Sequence, residues 1–297
     1  MIPGLEGVLT AVVTPFSADG GLDLAAMDGL VERQMSAGVR GIVVAGTTGE
    51  SPALSEDEKR TLFLRVKVQV RGRGLVIGGA GTNNLESSTR NVRLVQECGL
   101  DAALVVTPYY NKPTPEGLAR YYERIMSSVD LPLIAYNVPS RTGCDLKPET
   151  LSRLAADPRL VGVKEATGDM ARAAEIHAGL GDRISLLSGD DATFLPLLAC
   201  GGRGVISTSS NVDPAGMVAI HAAWARGDRS GALAAHERLL GLFRAMFIET
   251  NPGPVKYALA RMGLASPVIR PPLVLPEGAS AGRIDACLRS LGFLTDR

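Results

Sequence analysis

Eight times along this chain a short, nearly continuous apolar run gives way to an amphipathic stretch long enough for a helix. The runs lie at 7–16 (GVLTAVVTPF), 41–50 (GIVVAGTTGE), 75–81 (LVIGGAG), 102–110 (AALVVTPYY), 132–140 (PLIAYNVPS), 160–166 (LVGVKEA), 184–191 (ISLLSGDD) and 204–210 (GVISTSS). Strands that start without polar alternation belong in a parallel sheet covered on both faces. The helices between them have legible ends. Ser55 and Glu58 are spaced as a capping box for a helix at 55–71. Thr114-Pro115 and Asp213-Pro214 each set an N-cap before a proline at the first helical position. Glycine stands where a helix should stop in CGL (98–100) and ACGG (199–202).

Eight such units in roughly 220 residues predict an α/β fold, a (β/α)8 TIM barrel. A doubly wound sheet would need a glycine-rich turn after the first strand, and VVTPFSADGG does not supply one. GGRG (201–204) precedes a strand and reads as a turn. Beyond residue 211 the pattern is helical, so residues 1–228 are expected to form the barrel and 229–297 a C-terminal helical extension packed on it. Lys+Arg and Asp+Glu are both 31, a balance that argues against a nucleic-acid partner. No run approaches the roughly 18 apolar residues of a membrane span, and the first residues lack the basic stretch of a signal peptide. Cys98, Cys144, Cys200 and Cys287 form no CxxC pair, as expected of reduced thiols in a cytoplasmic protein.

Barrels of this kind place their chemistry at the C-terminal ends of the strands. Here those ends carry Thr14, Thr47-Thr48, Gly81-Thr82-Asn83, Tyr109-Tyr110, Tyr136-Asn137, Lys164-Glu165, Asp190-Asp191 and Ser207. The set is rich in hydroxyls and phenols, and it contains no histidine. His177, His221 and His236 fall in helical stretches, which disfavours a Ser-His-Asp site and a histidine-ligated metal. Asp190-Asp191 would repel an anion after the seventh strand, and Asp191 reads as the cap of the next helix rather than a metal ligand.

Only six of the 31 basic residues are lysine, and five of those six read as solvated charges on helices or loops. Lys164 alone ends an apolar strand. Alternation puts Gly162 and Lys164 on one face and Val161 and Val163 on the other, the valines suiting the helix-packed outside. An inward lysine admits two readings: a structural cation paired with Glu165 or an aspartate, or an amine deprotonated by desolvation and able to form a Schiff base. Tyrosine and threonine hydroxyls nearby favour the second, because imine formation needs protons carried in and out. Arg141 follows the fifth strand; its guanidinium suits a substrate carboxylate, although taken alone it reads as a surface arginine.

Six segments together carry a resemblance: GTTGES (46–51), TPYYNKP (107–113), YNVPSRTG (136–143), GVKEATGD (162–169), LLSGDD (186–191) and GGRGVIS (201–207). They resemble the dihydrodipicolinate synthase (4-hydroxy-tetrahydrodipicolinate synthase) family of pyruvate-dependent class I aldolases, and the similarity runs from GVLTAVVTPF to NPGPVKYAL. The resemblance implies condensation of pyruvate with L-aspartate 4-semialdehyde, a step of lysine and diaminopimelate biosynthesis, with no cofactor beyond an imine on Lys164. It implies that Tyr136 exchanges protons above that imine and that Thr47 links it to Tyr110 of a neighbouring subunit. Thr48, Ile206 and Gly189 would bind substrate and Arg141 would guide the semialdehyde, in a homotetramer built as a dimer of dimers. Many such enzymes bind inhibitory lysine in a cleft that would here involve Ser51, Pro52, Asn83 and Tyr109. Sensitive members carry histidines where this chain has Glu56 and Lys59, and a glutamate near Ser87, so weak or absent lysine inhibition is expected. Two other readings stand beside this one: a sugar-acid lyase of the N-acetylneuraminate or 2-keto-3-deoxy type, and a barrel that binds a keto acid only to regulate. The Lys164, Tyr136 and Thr47 set argues against the last.

Overall fold

A computed structural model describes residues 2–295. Eight parallel strands close in sequence order into a barrel, with β8 hydrogen-bonded back to β1. They are β1 (Gly7–Ala11), β2 (Gly41–Val44), β3 (Leu75–Gly79), β4 (Ala102–Val106), β5 (Leu133–Asn137), β6 (Leu160–Glu165), β7 (Ser185–Ser188) and β8 (Gly204–Ser207). All eight stop short of their sequence patterns because the residues that follow leave the ladder to build the rim. Thr14, for example, lies past β1 and donates to the Gly49 carbonyl at 2.7 Å.

The apolar runs work on both faces. Leu9, Val43, Ile77, Leu104, Ile134, Leu187 and Ile206 fill the barrel interior. Val8, Ile42, Val44, Val76 and Val163 face outward into the layer shared with the helices. Each such side chain taken fully out of water contributes about 1.5–3 kcal/mol, so a closed barrel buries more than an open sheet with two edges could.

The helix ends follow the sequence. Ser55 Oγ accepts from the Glu58 N–H at 3.2 Å, while the Glu58 carboxylate accepts from the Ser55 N–H at 2.9 Å, opening the helix Glu56–Val70. Thr114 and Asp213 accept from Gly117 and Gly216 at 3.2 and 2.8 Å, opening the helices Pro115–Ser127 and Pro214–Ala225. After the latter, the helices Arg229–Ala245 and Gly253–Arg261 pack on the barrel layer with Leu239 and Leu259 in its core, and Gly278–Ser290 packs on those two helices, burying Ile284 and Leu288.

Two expectations are corrected. β5 and β6 pair Leu133 with Leu160 and then Ile134 with Gly162, so Val161 is an extra residue in β6. The slip turns Val161 into the barrel interior, and of the two valines only Val163 faces the helices. Gly162 and Lys164 remain inward: a Cβ on Gly162 would stand 3.2 Å from Leu5 of the interior cluster. The second correction concerns the lysines. Lys256 is 1% exposed and paired with Glu50 at 2.5 Å, and Lys59 is 9% exposed, so two supposed surface cations are buried. Their surroundings come from segments distant in sequence, which a helix pattern does not reveal.

Candidate active site

Tyr136 and Lys164 are register partners on neighbouring strands, the fifth and sixth, and both side chains point inward. Lys164 Nζ lies 4.3 Å from the centroid of the Tyr136 ring. Lys164 is 6% exposed, and among the described residues no carboxylate comes within ion-pair distance of it. Burial pulls its pKa down to about 8; the charge of Asp191 opposes that shift and the charge of Arg141 adds to it.

Pairing with Glu165, the structural reading of this lysine, does not occur. Glu165 points to the opposite side of β6, where its carboxylate accepts from Asn137 Nδ2 at 3.1 Å, Arg172 Nε at 3.1 Å and the Thr167 N–H at 2.8 Å. Arg172 also donates to Asp145 and to the Leu146 carbonyl. This network ties the ends of β5 and β6 together directly beneath the residues that carry the phenol and the amine.

Burial raises the Tyr136 phenol above its ordinary value, partly offset by Arg141 and by a hydrogen bond with Thr47. Thr47 and Thr48 sit in a tight loop after β2 bounded by Ala45 (φ 52°) and Glu50 (φ 55°), both in the left-handed region. Each such non-glycine residue costs about 1–3 kcal/mol and persists only where its surroundings fix it. Gly79 makes room for the loop: a Cβ there would meet the Ala45 carbonyl oxygen at 2.1 Å. Thr48 Oγ1 receives a hydrogen bond from Asn251 Nδ2 at 3.0 Å and lies 3.3 Å from Thr208 Oγ1.

A cavity of about 280 Å³ opens at this rim, its wall including Thr47, Tyr136, Arg141, Tyr109, Lys59 and Thr82 and, among the described residues, no carboxylate. Arg141 leaves the short turn Pro139–Thr142 and donates to the Asn251 carbonyl at 3.5 Å. A wall with two cations, two phenols and three threonine hydroxyls suits an anionic carbonyl compound; Lys164 itself is off this wall, set against the ring of Tyr136, which lies on it.

The structure therefore gathers Lys164, Tyr136, Thr47 and Arg141 at one end of the barrel, with Thr48 in the same loop as Thr47. Ile206 is buried on β8 among the interior residues. Gly189 directly follows β7 and its N–H donates to the Glu165 carbonyl at 2.7 Å. Tyr110 stands apart, 88% exposed and off the cavity wall. Ser51, Pro52 and Tyr109 share the wall, whereas Asn83 does not, its carbonyl accepting instead from Asn111 at 2.9 Å.

Asp191 does not cap a helix. The helix Phe194–Ala199 begins too late for that, and Asp190 is the residue that accepts from the Thr193 N–H, at 3.1 Å. Asp191 is 1% exposed and accepts from the Ser209 N–H at 2.8 Å, with burial pushing its carboxyl up. Sequence reasoning also missed Asn251 and the Glu50–Lys256 pair. Asn251 sits in a turn between two helices, and nothing in its local pattern points at a barrel mouth some 200 residues earlier.

Comparison with known proteins adds an independent line. Residues 4–288 match the family model described as the dihydrodipicolinate synthetase family. A 4-hydroxy-tetrahydrodipicolinate synthase of Anaeromyxobacter dehalogenans is 47% identical over 290 residues, 97% of this chain and 98% of the relative. The crystal structure of dihydrodipicolinate synthase from Thermotoga maritima superposes with a TM-score of 0.95 at 42% identity, covering 97% of this chain and 99% of that one. A structure of a monomeric dihydrodipicolinate synthase variant also has a TM-score of 0.95 and 42% identity, covering 98% of both chains. With the barrel, the buried amine and the full-length similarity in agreement, the chain belongs to the dihydrodipicolinate synthetase family.

Proposed function

We propose that this protein condenses pyruvate with L-aspartate 4-semialdehyde through an imine on Lys164, giving 4-hydroxy-tetrahydrodipicolinate. The observation that carries this reading is the buried Lys164 amine, unpaired and held against the Tyr136 ring. Its neutral form attacks the keto carbon of pyruvate, and water leaves as the imine forms. Loss of a methyl proton turns the imine into an enamine, whose carbon adds to the aldehyde of the second substrate. The amino group of that substrate then displaces Lys164 from the imine carbon, closing the ring and freeing the enzyme.

Tyr136 gives and takes these protons, with Thr47 passing them on. Thr48 and the backbone near Ile206 and Gly189 hold the pyruvate end, and Arg141 receives the semialdehyde carboxylate. The imine is itself the electron sink, so the scheme invokes no cofactor. Tyr110, exposed within one chain, would complete the relay from a neighbouring subunit of a homotetramer. No helix among the described residues is long and apolar enough to cross a membrane; four free thiols fit a reducing cytoplasm.

The test is to treat the protein with pyruvate and borohydride and map the adduct by peptide mass. A pyruvyl group on Lys164 is expected; an unmodified lysine under conditions that trap other class I aldolases would end the proposal. Turnover with aspartate semialdehyde and none with N-acetylmannosamine would separate this activity from a sugar-acid lyase.

A further inference from the structure

The loop that carries Thr47 and Thr48 is anchored from an unexpected direction. Its last residue, Glu50, is fully buried, and its carboxylate is shared between two groups of the C-terminal extension. Lys256 Nζ lies 2.5 Å from Oε1, and the Arg270 N–H donates to Oε2 at 2.9 Å. Lys256 and Arg270 both stand over the Phe16 ring, each with its charged group 4.2 Å from the ring centroid. The Arg270 side chain goes on to donate to the carbonyls of Ala53 and Gly20, at 2.7 and 2.8 Å, and to the Glu58 carboxylate. A third group of the same extension, Asn251, donates to Thr48 Oγ1 at 3.0 Å.

Two residues of this loop hold left-handed backbone without being glycine. Such a conformation needs outside support, and three of the supports come from residues 251–270. We infer that Lys256, Glu50 and Arg270 are positioning residues: they fix the loop so that Thr48 meets the substrate carboxylate and Thr47 meets the Tyr136 phenol. The helical extension is then part of the catalytic apparatus, although Lys256 and Arg270 reach neither Lys164 nor the cavity wall. This inference rests on the activity proposed above.

The experiment compares wild type with the double variant Glu50→Gln/Lys256→Met, which removes both buried charges and so leaves neither uncompensated. Arg261→Met, which breaks an exposed ion pair of the same extension, serves as control. Circular dichroism and thermal melting report the fold; steady-state kinetics and the pyruvate dependence of borohydride trapping report the site. The folded double variant is expected to raise KM for pyruvate about tenfold and to lower kcat by a similar factor, the size of effect a small misplacement of a positioning loop produces. Arg261→Met is expected to change neither. A purely structural role would leave the folded double variant with wild-type KM and kcat, and that result would overturn the inference. If the wild type itself neither traps pyruvate nor turns over, the proposed activity has failed and the inference falls with it.

Discussion

At the scale of single residues, the absence of histidine from the rim simplifies the acid–base behaviour. Lys164, with a pKa of about 8, is the group that titrates near neutrality, while burial has moved the Tyr136 phenol upward. With the neutral amine as the proposed nucleophile, kcat/KM for pyruvate is expected to rise about tenfold per pH unit up to roughly 8 and then to level. An activity profile that is flat from pH 6 to 8 would contradict this. The same burial has a cost. Keeping the ammonium in the barrel at neutral pH disfavours the fold by about 3 kcal/mol, using 1.36 kcal/mol for each pH unit between about 8 and the ordinary lysine value of 10.5. Between those values the unfolded chain binds more protons, so the native state gains stability as pH rises through that window. Lys164→Met is accordingly expected to be inactive yet to melt several degrees higher than wild type at pH 7, the gap closing toward pH 10. Lys59 bears on regulation. Its buried ammonium shares a cavity wall with Ser51, Pro52 and Tyr109, and like charges repel there. Millimolar lysine should leave the rate unchanged in a standard assay, and half-inhibition at micromolar lysine would refute that.

At the scale of elements, the strand ends were legible because their chemistry is local. A lysine closing an apolar run, a phenol closing the neighbouring one and a threonine pair after β2 can all be read from short windows. Long-range partners could not be read that way. Val161 escaped because strict alternation assumes an unbroken ladder, and a one-residue slip reverses the faces below it. Lys256 looked solvated because Glu50, its counter-charge, lies 206 residues away. The latch formed by Glu165, Arg172 and Asp145 is another such long-range feature, and it supports the two catalytic strands from outside the barrel. Arg172→Met would leave the Glu165 carboxylate buried without its cation, and a loss of about 3–5 kcal/mol in urea unfolding is expected. A change within 1 kcal/mol would show that the latch contributes little.

At the scale of the whole molecule, barrel closure follows from the eightfold repeat and the C-terminal helices from the helical pattern beyond residue 211, whereas the completeness of the site within one chain follows from neither. Tyr110 is 88% exposed and off the cavity wall that carries Thr47, so the relay proposed above calls for a Tyr110 from a neighbouring subunit. Mixing Lys164→Ala with Tyr110→Phe is therefore expected to restore activity. In a mixed dimer one site recovers an intact amine from the second variant and an intact phenol from the first. If remixed subunits stay as inactive as either parent, each chain must work alone. The slip at Val161 also bears on how such a barrel can change over time. Because β6 absorbs an extra residue below the amine, the floor of the barrel and its mouth are not locked into one alternation. Mutations can repack the interior around Leu5 and Val161 while the pairing of Tyr136 with Lys164 stays in phase. A change at the floor of the barrel can thus alter thermal stability without disturbing the pairs above it, and the irregularity acts as a seam between floor and mouth.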